Sequence, residues 1–111
     1  MTERDKKYLS DILIAIDFIE DFLKGVNSFE KYSSDSKTKS AVERQLAIIG
    51  EAVNIFLKLS ADNSLQNSKQ IVRFRNHLVH AYDSIDDNIV WVIINNHLHP
   101  LKVEIINKLS D

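Results

Sequence analysis

A central segment decides the fold: it reads SAVERQLAIIGEAVNIFLKL and spans Ser40 to Leu59. Its apolar residues recur at steps of three and four, the spacing that places side chains on one face of a helix. These residues are Val42, Leu46, Ile49, Val53, Phe56 and Leu57. Because Gly50 has no side chain, we expect another helix to approach closely at this position. The segment therefore predicts a long amphipathic helix whose apolar face is covered by other helices.

Four other segments carry helix signals and are separated by polar connections. The predicted helices run from Asp5 to Val26, from Lys69 onward, from Asp87 to His97, and from Pro100 to Leu109. The polar stretch Asn27–Lys39 is predicted to be a loop that can include one helical turn, and Ser84 or Asp86 is expected to cap a later helix. Two glycines and one proline in 111 residues favour a few long helices over a sheet. We therefore expect a single all-α domain over residues 1–111, an antiparallel bundle of four to five helices.

Composition excludes several kinds of protein. The chain has no cysteine, which excludes a disulfide scaffold and a thiolate metal site. The N-terminal residues are charged and no apolar run is long enough to span a membrane, so we expect a soluble, cytoplasmic protein without membrane contact. The 14 basic and 16 acidic residues give a formal net charge of -2, which argues against a broad electrostatic platform for duplex DNA. A nucleic acid held at one small basic site is compatible with that charge.

The third predicted helix carries apolar residues on two sides. At about 100° per residue, one side gathers the residues expected to face the core, which are Ile71, Phe74, Leu78, Ala81 and Ile85. Val72 and Val79 lie on the opposite side with Asn76, between Arg75 at one edge and His80 at the other. A second apolar stripe predicts a second packing partner, and a symmetric homodimer is the simplest candidate. We therefore predict a dimer interface at Val72 and Val79, with the Arg75 edge of one subunit near the His80 edge of the other.

Arg75, Asn76 and His80 suit the cleavage of RNA. A histidine can take a proton from a ribose 2′-hydroxyl or give one to the leaving 5′-oxygen near neutral pH. An arginine presents a planar set of donors to phosphate oxygens and stabilises the charge that grows on them. Asn76 lies four residues before His80, where it can orient the imidazole or the phosphate. Arg75 and His80 are thus predicted to be catalytic and Asn76 supporting, in a reaction that needs no metal or other cofactor and leaves a 2′,3′-cyclic phosphate.

The same residues resemble the signature of a known family. Arg75 and His80, with four residues between them, are similar to the Arg-x4–6-His motif of HEPN domains. Tyr82 extends the similarity to the Arg-x4-His-x-Tyr motif of the HepT branch. Ala41–Arg44, Ile49–Ala52 and the run from Tyr82 to Trp91 resemble further patterns of that branch in order and spacing.

The resemblance implies a ribonuclease toxin of the HepT/MntA type of toxin–antitoxin module. Such a protein is expected to be an all-α homodimer that cuts RNA at the dimer interface without a metal. The implied partner is an MntA-type minimal nucleotidyltransferase antitoxin, which silences the toxin by adenylylating a tyrosine. Carried over by position, Arg75 and His80 are catalytic, Asn76 is supporting, and Tyr82 is the tyrosine that receives AMP. AMP on Tyr82 would add bulk and negative charge beside a phosphate-binding groove.

Other interpretations of the sequence stay open. The same groove could serve a non-catalytic helical dimer that binds a nucleotide or a partner protein, or the chain could be a structural bundle without a ligand. Tyr82 lies close to the core edge of the helical wheel, so packing is an alternative role for it. His77 and His80 make at most half of a metal site, and His77 receives no role. Glu51 is expected to be exposed or to cap a helix.

Overall fold

The structure, a computed structural model, describes the backbone of residues 1–81 and 85–111 and the side chains of residues 1–78 and 85–111. These residues form six helices and no strand, with the bounds α1 Glu3–Phe22, α2 Phe29–Ser33, α3 Ser36–Leu59, α4 Lys69–Ala81, α5 Asp87–Asn96 and α6 Leu98–Ser110. Within the described ranges, none of the helices is long and apolar enough to cross a membrane. The all-α prediction is confirmed, and the described residues contain six helices instead of four or five.

The additional helix comes from the segment predicted to be a loop. Ser28 caps the start of α2 through its side chain. α3 begins at Ser36, because Asp35 Oδ1 accepts the Thr38 N–H at 3.1 Å. Such caps satisfy the free N–H groups at the start of a helix and outweigh the polar composition of the segment. The short helix α2 agrees with the one helical turn allowed within Asn27–Lys39, whereas the loop prediction is wrong for residues 36–39, which form the first turn of α3.

Two other helix ends differ from their predicted positions. α1 ends at Phe22 rather than Val26, and Gly25 follows with a φ of 80°, a conformation that glycine adopts without strain. α6 begins at Leu98, so Pro100 lies in the first turn of the helix. A proline is tolerated there because the N–H groups of the first turn have no partner within the helix.

α3 lies at the centre of the bundle, where it packs against both α1 and α4. Just past the end of α3, the Asn63 side chain donates to Asp5 Oδ1 and to the Phe56 carbonyl, both at 2.8 Å. Since the end of α3 lies beside the start of α1, these two helices run in opposite directions. The buried face of α3 matches the prediction: Val42, Leu46, Ile49, Val53 and Phe56 are at most 1% exposed, and Leu57 is half-buried.

The first residues of α5 fix that helix in the bundle. Asp86 Oδ1 accepts the Asn88 N–H at 2.9 Å, which confirms Asp86 as the N-cap, whereas Ser84 lies outside the described residues. Asp87 accepts a hydrogen bond from Lys39 Nζ on α3 at 2.9 Å. This half-buried ion pair holds the start of α5 against α3.

Asp5 is expected to make the stability of the fold depend on pH. Its buried carboxylate accepts the Thr2 N–H at 2.9 Å and the Asn63 side chain, and these bonds hold the pKa of Asp5 below its ordinary value. A carboxyl group with a lowered folded-state pKa stabilises the fold above its ordinary pKa, and this contribution is lost as the pH falls through the folded-state pKa. Asp5→Asn should therefore lower the melting temperature by a few degrees near neutral pH, and by less in acid.

Thermal melts followed by circular dichroism, at neutral pH and in acid below the ordinary pKa of Asp5, measure the effect. Asp11→Asn is the matched control, because Asp11 lies on the same helix as a partly exposed carboxylate paired with Lys7 at 2.8 Å. Equal losses of stability in the two variants, or a loss for Asp5→Asn that does not change with pH, would contradict the assignment.

Candidate functional site

Gly50 of α3 and Arg75 of α4 lie at a point of very close approach between the two helices. A Cβ atom added to Gly50 would lie 2.5 Å from Arg75 Cβ and 2.8 Å from Arg75 Cγ, well inside van der Waals contact. The missing side chain therefore makes room for the stem of Arg75 on the surface of α3. The close approach predicted for Gly50 is confirmed.

The Arg75 guanidinium is oriented by two neighbouring side chains. It forms an ion pair with the Glu51 carboxylate and donates to Asn76 Oδ1 at 3.3 Å. The side chain of Arg75 is 27% exposed and that of Glu51 is 53% exposed. A pair this exposed contributes at most about 1 kcal/mol, so a phosphate group can take the place of the carboxylate. Glu51 is exposed, as expected, but it pairs with Arg75 and does not cap a helix.

A second arginine lies beside Arg75. Arg44 is exposed on α3 and lines both cavities that Arg75 borders. These two cavities, which have volumes of about 620 and 390 Å³, together form the Arg75 cleft. Among the described residues, the smaller cavity is lined by these two guanidinium groups and one carboxylate, that of Glu43, so its excess of positive charge favours an anionic ligand. The sequence predicted no role for Arg44 and no link between Glu51 and Arg75. Their spacing of seven residues, which is two helical turns, was the signal that both lie on one face of α3.

An apolar groove between α1 and α3 extends to Arg75. It is the larger of these two cavities, and its large apolar side chains face solvent: Ile14 is 55%, Phe18 is 48% and Ile48 is 37% exposed. Exposed apolar side chains gathered in one place are typical of surfaces that bind a partner. The apolar repeat of α1 predicted its buried face and not this groove, although Ile14 and Phe18 are four residues apart.

The structure describes the side chains of some of the other predicted site residues but not of all of them. Asn76 is exposed on α4, next to Arg75. Val72 is half-buried and packs against the core of its own chain, so it is less exposed than the helical wheel predicts. Val79 and His80 belong to α4, but their side chains are outside the described residues, as is all of Tyr82.

The predicted core side of α4 agrees with the structure where it is described. Ile71 is 0% and Phe74 is 4% exposed, while Leu78 is half-buried. His77, which received no role, is exposed. In the part of the chain with described side chains, no three His, Asp or Glu residues lie together as a metal site would require.

Comparisons with known proteins identify the family. The model of the family described as "Ribonuclease HepT-like" matches residues 12–107, which include all of α3 and the whole motif from Arg75 to Tyr82. The chain therefore belongs to the HepT-like ribonuclease family, and the HEPN resemblance is confirmed.

Individual relatives match over nearly their whole length. A protein of Thermococcus cleftensis described as a probable ribonuclease HepT is 36% identical, over 92% of this chain and 93% of its own. A candidate RNase of Caldanaerobacter subterraneus subsp. tengcongensis is 32% identical over 90% of this chain and 89% of its own. A candidate RNase of Methanocaldococcus jannaschii is 35% identical over 86% of this chain and 80% of its own. No solved structure matches the chain significantly.

Gly50→Ala is expected to disturb the cleft. In an ordinary helix interior, alanine is more favourable than glycine by about 1 kcal/mol. Here the added methyl group meets Arg75 Cβ, which is attached to the backbone and cannot rotate away, so α3 and α4 must move apart. The expected net result is a loss of stability of about 1–3 kcal/mol, as for overpacked cores.

Chemical denaturation of the wild type and of Gly50→Ala measures this loss. Lys58→Ala, at an exposed position of the same helix, is the control for a change that meets no neighbour. A Gly50→Ala variant as stable as the wild type, or more stable, would contradict the close packing of the two helices at this point.

Proposed function

We propose that this protein is a metal-independent endoribonuclease that acts as the toxin of a toxin–antitoxin module. One observation supports the proposal most: in a chain of the HepT-like family, Arg75 is oriented by Gly50 and Glu51 in a cleft that stays open to solvent. The ribonuclease names of the relatives support RNA as the substrate. Arg44 beside Arg75 adds a second positive charge for the phosphate backbone.

In the proposed reaction, the ribose 2′-oxygen attacks the neighbouring phosphorus and the bond from phosphorus to the 5′-oxygen breaks. His80 takes the proton from the 2′-hydroxyl or gives one to the leaving 5′-oxygen, and two copies of His80 in a dimer can divide these tasks. The phosphate displaces Glu51 from the Arg75 guanidinium, which then stabilises the charge on the phosphate oxygens. Asn76 supports this arrangement as a second polar contact. The products are a 2′,3′-cyclic phosphate and a 5′-hydroxyl.

The proposed active site needs two copies of the chain. Arg75 and His80 are five positions apart on α4, which separates them by about 140° around the helix axis. One helix therefore does not present both residues to the same phosphate, whereas a two-fold axis brings the Arg75 edge of one copy to the His80 edge of the other.

The proposed dimer interface includes the groove between α1 and α3. Its exposed side chains Ile14, Phe18 and Ile48 supply apolar area directly beside Arg75. Val72, half-buried one turn before Arg75, and Val79 complete the interface on α4. Burial of these side chains against a second copy provides the driving force for association.

The proposed regulator is an MntA-type minimal nucleotidyltransferase antitoxin that transfers AMP to Tyr82. The added phosphate and bulk would repel and obstruct RNA close to the catalytic helix. Co-expression with such an enzyme should yield a peptide that contains Tyr82 with one or more AMP groups, detected by mass spectrometry. Tyr82→Phe should stay active in its presence. A silenced toxin with an unmodified Tyr82 would contradict adenylylation and indicate neutralisation by binding.

Incubation of the purified protein with RNA in EDTA tests the enzymatic proposal directly. The expected result is cleavage at an undiminished rate, with 2′,3′-cyclic phosphate ends identified by mass spectrometry. Failure to cut any member of a diverse RNA panel would contradict the ribonuclease function. Loss of cleavage in EDTA that added Mg²⁺ restores would contradict the metal-free mechanism.

A further inference from the structure

A third cavity lies on the other side of α4 from the two cavities that Arg75 borders. It has a volume of about 510 Å³ and is enclosed by α4, α5 and the junction between α5 and α6. Neither the proposed reaction nor the proposed dimer interface uses it. None of its lining residues borders the two cavities around Arg75.

The cavity combines apolar walls with a basic rim. Its floor is formed by the buried side chains of Phe74 and Ile93, and Ile89 and Val92 stand at its open side with 52% and 48% exposure. A flat, partly apolar group such as a nucleobase fits between walls of this kind.

The rim carries Arg73 and His77 on α4 and His97 at the end of α5. Arg73 and His77 are one helical turn apart, about 6 Å along the axis, and both are exposed. Among the described residues, Asp86 is the one carboxylate that lines the cavity, and it accepts hydrogen bonds from the N–H and side chain of Asn88 at 2.9 and 3.1 Å. The Asp86 carboxylate is therefore directed to the N-terminus of α5, and Arg73 and His77 stay available as donors to a phosphate group.

The rim residues of α4 lie on the same side of the helix as position 80, the position of the proposed catalytic histidine. Positions 73, 77 and 80 of α4 fall within about 60° of one another around the helix axis, whereas position 75 lies about 140–160° away from each of them. An RNA strand that leaves His80 along α4 would therefore pass His77 and then Arg73.

We propose that the cavity between α4 and α5 is a nucleotide subsite for single-stranded RNA. It takes one base between Phe74, Ile89 and Val92, and Arg73 and His77 contact the attached phosphate. The link to cleavage rests on the proposed ribonuclease function, but binding of a nucleotide does not. A subsite beside the catalytic edge would hold a nucleotide next to the bond that is cut.

Binding of AMP to the His80→Ala variant tests the proposal without any turnover. Titration followed by NMR should show shifts of the His77 and His97 ring signals, with AMP bound more tightly than either adenosine or inorganic phosphate. Arg73→Ala should weaken AMP about tenfold, the effect of losing one charge-assisted contact, while Arg4→Ala on α1 should leave it unchanged. Equal affinity for AMP and inorganic phosphate, or an Arg73→Ala variant that binds AMP like the parent, overturns the subsite.

Cleavage kinetics separate the subsite from the proposed function. If RNA is cut, Arg73→Ala should raise KM with kcat nearly unchanged, because the residue binds substrate away from the reacting phosphate. If AMP binds as expected and no RNA is cut, the ribonuclease proposal fails and the subsite stands. If RNA is cut with an unchanged KM and AMP does not bind, the subsite fails and the ribonuclease proposal stands.

Discussion

Replacement of Arg75 or His80 by alanine should nearly abolish cleavage of RNA. Loss of a donor aimed at the charge of the transition state costs about 10²–10³-fold in rate, which is the expected effect of Arg75→Ala. Loss of a general acid or base costs about 10²–10⁴-fold, which is the range expected for His80→Ala. Initial rates of cleavage of a defined RNA, measured at saturating concentration, give both values.

Two controls separate catalysis from folding. Arg4→Ala and His99→Ala remove the same residue types at exposed positions of α1 and α6 and should keep full activity. Arg75→Ala loses a partly exposed ion pair with Glu51, which contributes at most about 1 kcal/mol, and the packing of its stem on Gly50, so its melting temperature should fall by only a few degrees. Folded Arg75→Ala and His80→Ala variants that cut as fast as the wild type would remove the basis for the proposed mechanism.

A charge in the groove between α1 and α3 should separate the dimer and inactivate the enzyme. Ile14→Glu places a carboxylate at a 55% exposed position, where it is solvated in the monomer but would be buried in the proposed dimer. Dissociation should become at least about thirtyfold more favourable, the effect of a residue that dominates an interface. Because the proposed site takes Arg75 from one copy and His80 from the other, activity should fall with the loss of dimer.

Analytical ultracentrifugation and cleavage assays on the same samples test both parts of this prediction. Ile106→Glu makes the same chemical change at a 43% exposed position of α6, outside the groove, and should leave the dimer and its activity intact. A wild-type chain that is monomeric and fully active would exclude the composite site. A dimer that survives Ile14→Glu would place the interface elsewhere on the surface.

The arrangement of the helices along the chain could be predicted where local signals agree with burial. The apolar repeat located the face of α3 that is buried, and the start of α4 at Lys69 was predicted correctly. The helical residues before Ser40 were predicted less well. Ser28 and Asp35 start helices there by capping backbone N–H groups within a stretch that is polar throughout. A polar composition does not distinguish such helices from a loop, since their stability depends on contacts with the rest of the bundle.

The motif residues of the candidate site could be predicted from the sequence, whereas the residues of other helices that surround them could not. Arg75, Asn76, His80 and Tyr82 were selected by residue type and spacing, and their roles stay proposals. Glu51, the partner of Arg75 in the structure, lies 24 positions earlier in the chain, and no pattern within one helix joins the two. The exposed groove at Ile14 and Phe18 was missed because the stronger repeat of α1 marks its opposite, buried face.

The sequence by itself determined the helical class of this protein and placed Arg75 and His80 within one helix. Both follow from the period of the helix and from residue chemistry, which act over a few neighbouring positions. Only the tertiary structure shows that Arg75 packs on Gly50 and pairs with Glu51. It alone also shows the cavity between α4 and α5 with basic side chains at its rim. These features depend on the distance and angle between packed helices, and such geometry is set by side chains far apart in the chain.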